Sequence, residues 1–237
     1  MSWQERTEML LGTEAVARLK VSRALIVGLG GVGAYAAEML ARAGVGELVL
    51  LDSDTVSDSN RNRQLVALTS TIGCLKCEVL RDRLLDVNPE IKISVIPEYI
   101  FEDNVSELVM KAGRPDVVVD AIDTLSPKIA LIQYCLKENI KLVSSMGSGA
   151  KKDATKMHVE DISRTFQCPL AHMLRKRLHK LGIREGFKAV FSSEQPERDS
   201  VRLEESRNKK SQVGTISYMP AVFGCVCAQA AIEELIG

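Results

Sequence analysis

The stretch RALIVGLGGVGAYAAEML, residues 23–40, decides the fold. It consists of an apolar strand, a tight turn of glycines and the beginning of a helix. In such a unit, backbone N–H groups and the positive end of the helix dipole face a phosphate group. The stretch therefore predicts a nucleotide site at its glycine turn, which contains Gly28, Gly30, Gly31 and Gly33.

Further apolar runs of strand length alternate with amphipathic helical patterns on the C-terminal side of this unit. Continuous apolar strands separated by helices predict an α/β fold with a doubly wound, mainly parallel, Rossmann-like sheet covered on both faces. We expect a nucleotide-binding core over residues 1–149 and a substrate-binding extension of strands and helices over residues 150–237. The polar stretch at about 194–211 predicts a mobile loop, and an apolar helix at about 220–235 closes the fold.

Composition limits the classes of function. The 237 residues include 31 basic and 31 acidic side chains, so attraction for nucleic acid must come from local clusters of charge. The N-terminus lacks the features of a secretory signal, and the longest apolar run is shorter than the roughly 18 to 20 residues that span a bilayer. We therefore expect a cytoplasmic protein with no membrane partner. The six cysteines are expected to be reduced and to fill the core, and the absence of two CxxC pairs argues against zinc.

The residues after the glycine turn discriminate between NAD and ATP. Asp52 follows about twenty residues later, at the end of the second strand, where a carboxylate accepts hydrogen bonds from ribose hydroxyls in either case. The next residues form a dense set of cations and amides that suits a triphosphate better than a hydride-transfer pocket. In this set, Arg63 can form a fork onto phosphate oxygens and Lys76 can place a point charge on them as pyrophosphate leaves.

Five motifs in order, GLGGVG, LDSDTV, SNRNRQ, IGCLK and VVDAIDT, resemble those of the ubiquitin-activating-enzyme-like superfamily, the ThiF, MoeB and HesA group of ATP-dependent adenylating proteins. The resemblance implies ATP and Mg²⁺ as cofactors, with Mg²⁺ at Asp123, and catalytic roles for Arg63, Lys76 and Asp123. It also implies a homodimer in which Arg6 reaches the partner's ATP site, although an exposed helix charge explains Arg6 nearly as well. The matching ATP-binding positions are Gly28, Gly30, Gly31, Gly33, Asp52, Asp54, Asn60, Arg63, Gln64, Lys76, Asp123 and Thr124.

A basic helix in the extension, PLAHMLRKRLHKLG, indicates a nucleic-acid partner, because contacts between cations and phosphates release counterions. Its candidate RNA-binding residues are Arg175, Lys176, Arg177 and Lys180, and a solvated face is the alternative. The surrounding stretches and GTISYMPAVFGCV resemble the family of tRNA threonylcarbamoyladenosine dehydratases. That resemblance implies ATP-dependent cyclisation of the modified adenosine next to the tRNA anticodon, through an acyl adenylate. It also suggests a cysteine-desulfurase or sulfur-acceptor system as a partner.

Three other functions stay open at this point. The first is an adenylyltransferase that activates the C-terminal glycine of a ubiquitin-like sulfur carrier. The second is an NAD-dependent oxidoreductase, suggested by the glycine turn and Asp52 alone. The third is a non-catalytic tRNA-binding or sulfur-relay scaffold, against which the phosphate-neutralising set argues. Cys168, beside a proline at the start of the basic helix, is the one candidate nucleophile, and packing is its other explanation.

Overall fold

The computed structural model describes residues 2–196, 200–203 and 211–237. Its α-helices are α1 Glu5–Leu11, α2 Thr13–Val21, α3 Gly33–Ala43, α4 Lys76–Val87, α5 Val105–Lys111, α6 Leu125–Lys137, α7 Pro169–Lys180 and α8 Tyr218–Ile236. Its strands are β1 Arg23–Val27, β2 Glu47–Leu51, β3 Lys92–Ile96, β4 Val117–Asp120, β5 Lys141–Ser145, β6 Met157–Asp161, β7 Lys188–Ser192, β8 Val201–Leu203 and β9 Ser211–Val213.

Seven of these strands form one sheet in the order β3-β2-β1-β4-β5-β7-β6. All neighbours are parallel except β6, which runs antiparallel to β7 at the edge, with Met157 opposite Ser192. The chain moves outward from β1 in both directions, which confirms the predicted doubly wound, mainly parallel sheet. In this topology ligands collect at the carboxyl ends of the strands, where the strand order reverses.

Helices cover both faces of the sheet, and alternate residues of each strand point to opposite faces. Ala24 and Ile26 of β1 pack in one hydrophobic cluster with α3, α4 and α8. Leu25 and Val27 pack in the other with α5, α6 and α7. Because both faces are covered, the central strands are apolar without interruption, as the sequence predicts.

Helix α8 confirms the prediction of an apolar helix that closes the fold. Among the described residues it is one helix that is long and apolar enough to cross a membrane, judged by length and composition alone. Met219, Phe223 and Cys227 are fully buried in the protein core, however. Gly224 allows α8 to approach α3 closely, since a Cβ at this position would lie 2.5 Å from the carbonyl oxygen of Val32. The apolar character of α8 is thus explained by packing inside the protein.

The extension shares its core with the first 149 residues. Strands β6 and β7 continue the main sheet, and α8 packs against α3. The predicted loop at 194–211 contains β8 and begins β9, which pair antiparallel with Val201 opposite Val213. The segment of the predicted mobile loop therefore includes paired strand residues, and its mobility stays a prediction. Positions 197–199 and 204–210 of the predicted loop lie outside the described residues.

The cysteines follow the core-filling expectation only in part. All six are free thiols; Cys77, Cys135, Cys168 and Cys227 are buried, but Cys74 and Cys225 are exposed, so the prediction is wrong for these two. Burial raises the pKa of Cys135 to about 12 and that of Cys227 to about 12. At neutral pH these two thiols are protonated and serve as small apolar side chains.

Candidate nucleotide site

Three glycines of the turn between β1 and α3 are required by packing. Gly28 has a φ of +87°, which favours glycine, and a Cβ there would lie 2.9 Å from the carbonyl oxygen of Ala121. A Cβ at Gly33 would lie 1.8 Å from the carbonyl oxygen of Gly28. A Cβ at Gly31 would lie 2.8 Å from Cβ of Pro220 on α8.

Gly30 differs from these three glycines. The nearest atom to a Cβ built at Gly30 is Nε2 of Gln64, at 3.8 Å, which is an ordinary van der Waals distance. Packing within the chain therefore does not require glycine here. A backbone that must approach a phosphate group closely does require it, because any side chain would fill the space that the phosphate needs.

Asp52 follows β2 directly and its carboxylate is tied to the glycine turn. Oδ2 accepts a hydrogen bond from the backbone N–H of Leu29 at 2.6 Å, and Oδ1 accepts one from that of Asp54 at 2.7 Å. Burial raises the pKa of Asp52, although Lys76 and the two N–H groups act in the opposite direction. The carboxylate thus lies beside the turn, as expected for a ribose acceptor.

Lys76 is the first residue of α4 and its side chain is 5% exposed. Its ammonium lies 2.7 Å from Oδ2 of Asp54, whose side chain is 63% exposed. The pairing extends Lys76 from the protein interior towards the surface next to Asp52. A buried ammonium is a strong point charge, because little water screens it.

The loop between β2 and α4 carries the predicted amide and arginine residues. Oδ1 of Asn60 accepts a hydrogen bond from the N–H of Ser57 at 3.1 Å, and Nη1 of Arg63 donates to the carbonyl oxygen of Ser59 at 2.9 Å. Gln64 is buried, and its Oε1 has no hydrogen-bond partner in the part of the chain that the structure describes. A buried acceptor without a partner is costly, so its position opposite Gly30 fits a ligand that supplies a donor.

Asp123 and Thr124 lie in the turn between β4 and α6. Strand β4 ends at Asp120, and Asp123 follows three residues later and is exposed. Thr124 occupies the N-cap position of α6 and makes no side-chain capping bond. An exposed carboxylate at this edge fits Mg²⁺, which binds one or two carboxylates together with substrate phosphates.

Backbone hydrogen bonds bring the three turns together at one edge of the sheet. The N–H of Gly28 donates to the carbonyl oxygen of Leu51, and that of Ala121 donates to the carbonyl oxygen of Val27. The glycine turn, Asp52 and the turn that carries Asp123 therefore surround one location. The described residues contain no group of three or more His, Cys, Asp or Glu side chains that could hold a metal alone.

The segment that follows β5 is attached to the end of β7. Lys151 of this segment is buried and donates hydrogen bonds to the carbonyl oxygens of Ser192 and Glu194, and burial lowers its pKa. The Glu194 carboxylate in turn accepts hydrogen bonds from the N–H groups of Lys152 and Asp153. These hydrogen bonds fix residues 151–153 relative to the end of β7.

Arg6 and the candidate RNA-binding residues of α7 lie outside the nucleotide site. Arg6 is exposed on α1, and a Cβ at Gly44, where α3 ends, would clash with the side chain of Gln4. Since α3 begins at the glycine turn, the residues next to Arg6 lie at the far end of α3, about 16 Å from the site of the same chain. On α7, Arg175 donates to the carbonyl oxygen of Thr165 at 2.7 Å.

The other candidate cations of α7 are available to a partner. Lys176, Arg177 and Lys180 are exposed, and none forms an ion pair within the described ranges. Arg177 and Lys180 line a cavity of about 620 Å³ between α6 and α7, together with Lys137. The sequence pattern alone does not separate Arg175, which is used within the protein, from these three residues.

The fold and the nucleotide site define a ThiF-type protein: residues 4–237 match the ThiF family, and the chain belongs to it. Comparison with individual proteins shows which members of this family the chain resembles. The chain is 38% identical to the tRNA threonylcarbamoyladenosine dehydratase of Bacillus subtilis, over 98% of this chain and 93% of that protein. The structure of Escherichia coli tRNA N6-threonylcarbamoyladenosine dehydratase, TcdA, in complex with ATP matches with a TM-score of 0.88 and 34% identity, over 98% of this chain and 94% of that chain. The AMP complex of TcdA matches with a TM-score of 0.87, over 98% and 95%.

Proposed function

We propose that this protein is an ATP-dependent tRNA threonylcarbamoyladenosine dehydratase. The observation that carries the proposal is the match over 98% of the chain to E. coli TcdA in complex with ATP, which includes the extension as well as the nucleotide core. A sulfur-carrier adenylyltransferase is the alternative, and the relatives that match over nearly their full length carry the dehydratase name instead. The match also argues against an NAD-dependent oxidoreductase and a scaffold.

The nucleotide site supports binding of ATP along the carboxyl edge of the sheet. The backbone at Gly30 contacts the phosphates, Asp52 holds the ribose, and the buried acceptor of Gln64 takes a donor from the nucleotide. Lys76 and Arg63 neutralise the triphosphate, with Asn60 shaping the loop through its bond to Ser57. Asp54 contributes by holding Lys76 at 2.7 Å, and Thr124, the N-cap residue of α6, would lie beside the phosphates.

Asp123 would hold Mg²⁺, which supplies additional positive charge to the phosphate groups when it is bound. The reaction then requires no nucleophile from the protein. A carboxylate oxygen of the threonylcarbamoyl group attacks the α-phosphorus of ATP, and pyrophosphate leaves with the electrons of the broken P–O bond. A urea nitrogen of the same group attacks the activated carbonyl carbon, AMP leaves and the nitrogen loses its proton. The product is a hydantoin ring, and the nucleoside has lost one water.

The chain's own residues need only to position the substrates, to neutralise the phosphate charge and to exclude water. Ring closure within one group has a high effective concentration, which removes the need for a covalent intermediate on the protein. Lys76 and Arg63 stabilise the negative charge that develops on the departing pyrophosphate. The segments of Lys151 and Glu194, which follow β5 and β7 and are hydrogen-bonded to each other, would help to shield the acyl adenylate from hydrolysis.

The tRNA partner is supported by the exposed cations Lys176, Arg177 and Lys180, which suit the phosphate backbone beside the modified adenosine. Arg175 supports them by holding α7 to Thr165. Asp123 and the glycine turn lie at the carboxyl edge, where α7 also begins. The basic half of α7 lies about 12 Å further along that helix, a distance that fits contacts to flanking nucleotides.

A cytoplasmic homodimer completes the proposal. In such a dimer Arg6 reaches the ATP site of the partner, since it lies far from the site of its own chain. Met9 and Leu10 of α1 are 81% and 83% exposed, and a partner subunit would cover them. A cysteine-desulfurase or sulfur-acceptor system remains a partner proposed from the resemblance alone.

Exchange of labelled pyrophosphate into ATP tests the proposal. We expect exchange with threonylcarbamoyl-modified tRNA and Mg²⁺, and no exchange with the same tRNA lacking the modification, because the carboxylate is the attacking group. Arg63→Ala abolishes exchange, whereas Arg61→Ala retains it, since Arg61 pairs with Asp58 on the surface. Exchange that requires a sulfur-carrier protein and ignores the tRNA would establish the alternative.

A further inference from the structure

A fully buried ion pair lies beneath the turn that carries Asp123. The ammonium of Lys128 on α6 lies 2.8 Å from Oδ2 of Asp120, and both side chains are 0% exposed. The same ammonium donates a hydrogen bond to the carbonyl oxygen of Ile122 at 3.1 Å. One side chain therefore holds both ends of the segment from Asp120 to Ile122.

Two further hydrogen bonds hold this segment in place. Oδ1 of Asp120 accepts a hydrogen bond from the N–H of Ile122 at 3.0 Å, and Oδ2 accepts one from Oγ of Ser144 on β5 at 2.7 Å. The segment also contacts the glycine turn, because the N–H of Ala121 donates to the carbonyl oxygen of Val27 at 2.9 Å. The backbone immediately before Asp123 is thus fixed from three sides.

Stability alone does not explain this pair. Removing two charges from water has a cost that their attraction often fails to offset, and apolar replacements of similar volume are frequently as stable. Residues next to Lys128 on α6, such as Ile129, Leu131 and Ile132, are apolar and buried, so an apolar side chain would suit this position. The pair lies directly under the edge of the sheet where the nucleotide binds, which indicates a role in the geometry of that edge.

We propose that Lys128 is a positioning residue that fixes the turn from Asp120 to Asp123 and so directs the Asp123 carboxylate towards the metal and the triphosphate. This inference rests on the proposed role of Asp123 in Mg²⁺ binding. Lys128 itself contacts no ligand. It acts through the carboxylate of Asp120 and the carbonyl group of Ile122, in the way that outer partners orient the ligands of a metal ion.

Calorimetric titration of the full chain with ATP tests the inference without catalysis or tRNA. The titration is done once in the presence of Mg²⁺ and once in the presence of a chelator. The measured quantity is the factor by which Mg²⁺ strengthens ATP binding. We expect Lys128→Met to lower this factor about tenfold, as substitutions of outer partners of metal ligands do, while the affinity for ATP in chelator changes much less. Ser144→Ala removes one bond to Asp120 but leaves the Lys128–Asp120 ion pair intact, so it should lower the factor less than Lys128→Met but measurably.

Glu38 provides the matched control. Its carboxylate is 6% exposed and pairs with Arg83 and Arg42 on α4 and α3, away from the turn that carries Asp123. Glu38→Gln lowers stability as a buried-pair variant does, but leaves the Mg²⁺ factor unchanged. If Lys128→Met does not fold, Ser144→Ala decides: an unchanged factor in that variant overturns the inference.

The outcomes separate this inference from the proposed function. A Mg²⁺ factor in folded Lys128→Met equal to that of the unsubstituted protein overturns the positioning role and leaves the dehydratase proposal intact. Absence of any Mg²⁺ enhancement in the unsubstituted protein overturns both the positioning role and the assignment of Mg²⁺ to Asp123. Failure of tRNA dehydration with a normal Mg²⁺ factor affects only the proposed function.

Discussion

The ammonium of Lys76 lies 2.7 Å from Oδ2 of Asp54, with the lysine almost fully buried and the aspartate mostly exposed. The pair holds a buried positive charge at the start of α4, next to Asp52 and the glycine turn. In the proposed binding mode, a triphosphate would supply further negative groups to the same ammonium. We therefore expect the carboxylate of Asp54 and the phosphates to perform partly the same electrostatic function.

Substitution of Asp54 tests this relationship. We expect Asp54→Asn to lower the free energy of unfolding by about 1–3 kcal/mol, because it weakens the partner of a buried charge. ATP should restore much of this loss, so the ATP-induced rise in Tm is larger than in the unsubstituted protein. Thermal melts with and without ATP measure both effects. Asp58→Asn, which changes an exposed pair with Arg61, is the control and should change the stability little. A smaller ATP-induced rise in Tm for Asp54→Asn than for the unsubstituted protein would contradict the prediction.

Two glycines of the turn are expected to respond differently to the same added methyl group. Gly30→Ala should fold normally, since the nearest atom to its Cβ, apart from the neighbouring residues, is Nε2 of Gln64 at 3.8 Å. It should weaken ATP binding at least about tenfold, because the methyl group would occupy the proposed phosphate position. Gly33→Ala should fail to fold stably, since its Cβ would lie 1.8 Å from the carbonyl oxygen of Gly28. Urea unfolding and ATP titration separate the two effects. Normal ATP affinity in Gly30→Ala would show that the phosphates lie elsewhere.

Acid sensitivity of folding should depend on Glu38. Burial acts to raise the pKa of this carboxyl, but hydrogen bonds from Arg83 and Arg42 outweigh burial and lower it below the ordinary value of 4.5. A lowered pKa in the folded state means that the ionised group stabilises the fold above the unfolded pKa, and that this stability is lost as the pH falls through the folded pKa. Glu38→Gln should therefore be less stable by about 3 kcal/mol at pH 7.

Urea unfolding of both proteins between pH 7 and pH 3 measures this dependence. The difference in stability should be constant from pH 7 to about pH 5 and shrink below that, as Glu38 becomes protonated in the unsubstituted protein. Lys92→Met, which changes an exposed residue of β3, controls for a general effect of substitution. A difference that grows on acidification has the opposite sign and contradicts the prediction.

The exposed cations of α7 should contribute to tRNA affinity. We expect Arg177→Glu and Lys180→Glu each to weaken tRNA binding and to reduce the slope of log affinity against log salt concentration by about one, because each removes a phosphate contact. Lys92→Glu makes the same kind of charge change on an exposed residue of another element and should leave the slope unchanged. Equal effects of all three substitutions would mean that the cations of α7 act only through the net charge of the protein.

The sequence predicts the nucleotide core well because its signals are local. The strand, glycine turn and helix around Gly28 lie within 18 consecutive residues, and Asp52 follows the next strand directly. Each of these elements needs only its own hydrophobic period and turn chemistry to be recognised. The predicted doubly wound, mainly parallel sheet is confirmed for the same reason, whereas the order of its seven strands is known only from the structure.

What the sequence does not reveal depends on contacts between distant residues. Lys128 looks like one polar residue in an apolar helix, and its role appears only when Asp120 and Ser144 from two strands surround it. The pairing of β8 with β9 depends on a register that no local pattern fixes. Whether Arg175 is exposed or bonded to Thr165 likewise depends on how α7 packs against the turn before it.

Mass spectrometry can follow the reaction itself, on nucleosides from threonylcarbamoyl-modified tRNA incubated with the protein, ATP and Mg²⁺ under mild conditions that preserve the hydantoin. We expect the modified adenosine to lose one water in an ATP-dependent reaction, Lys76→Met to abolish this loss and Lys92→Met to retain it. An unchanged mass with intact, ATP-binding protein would show that the protein is not the proposed dehydratase.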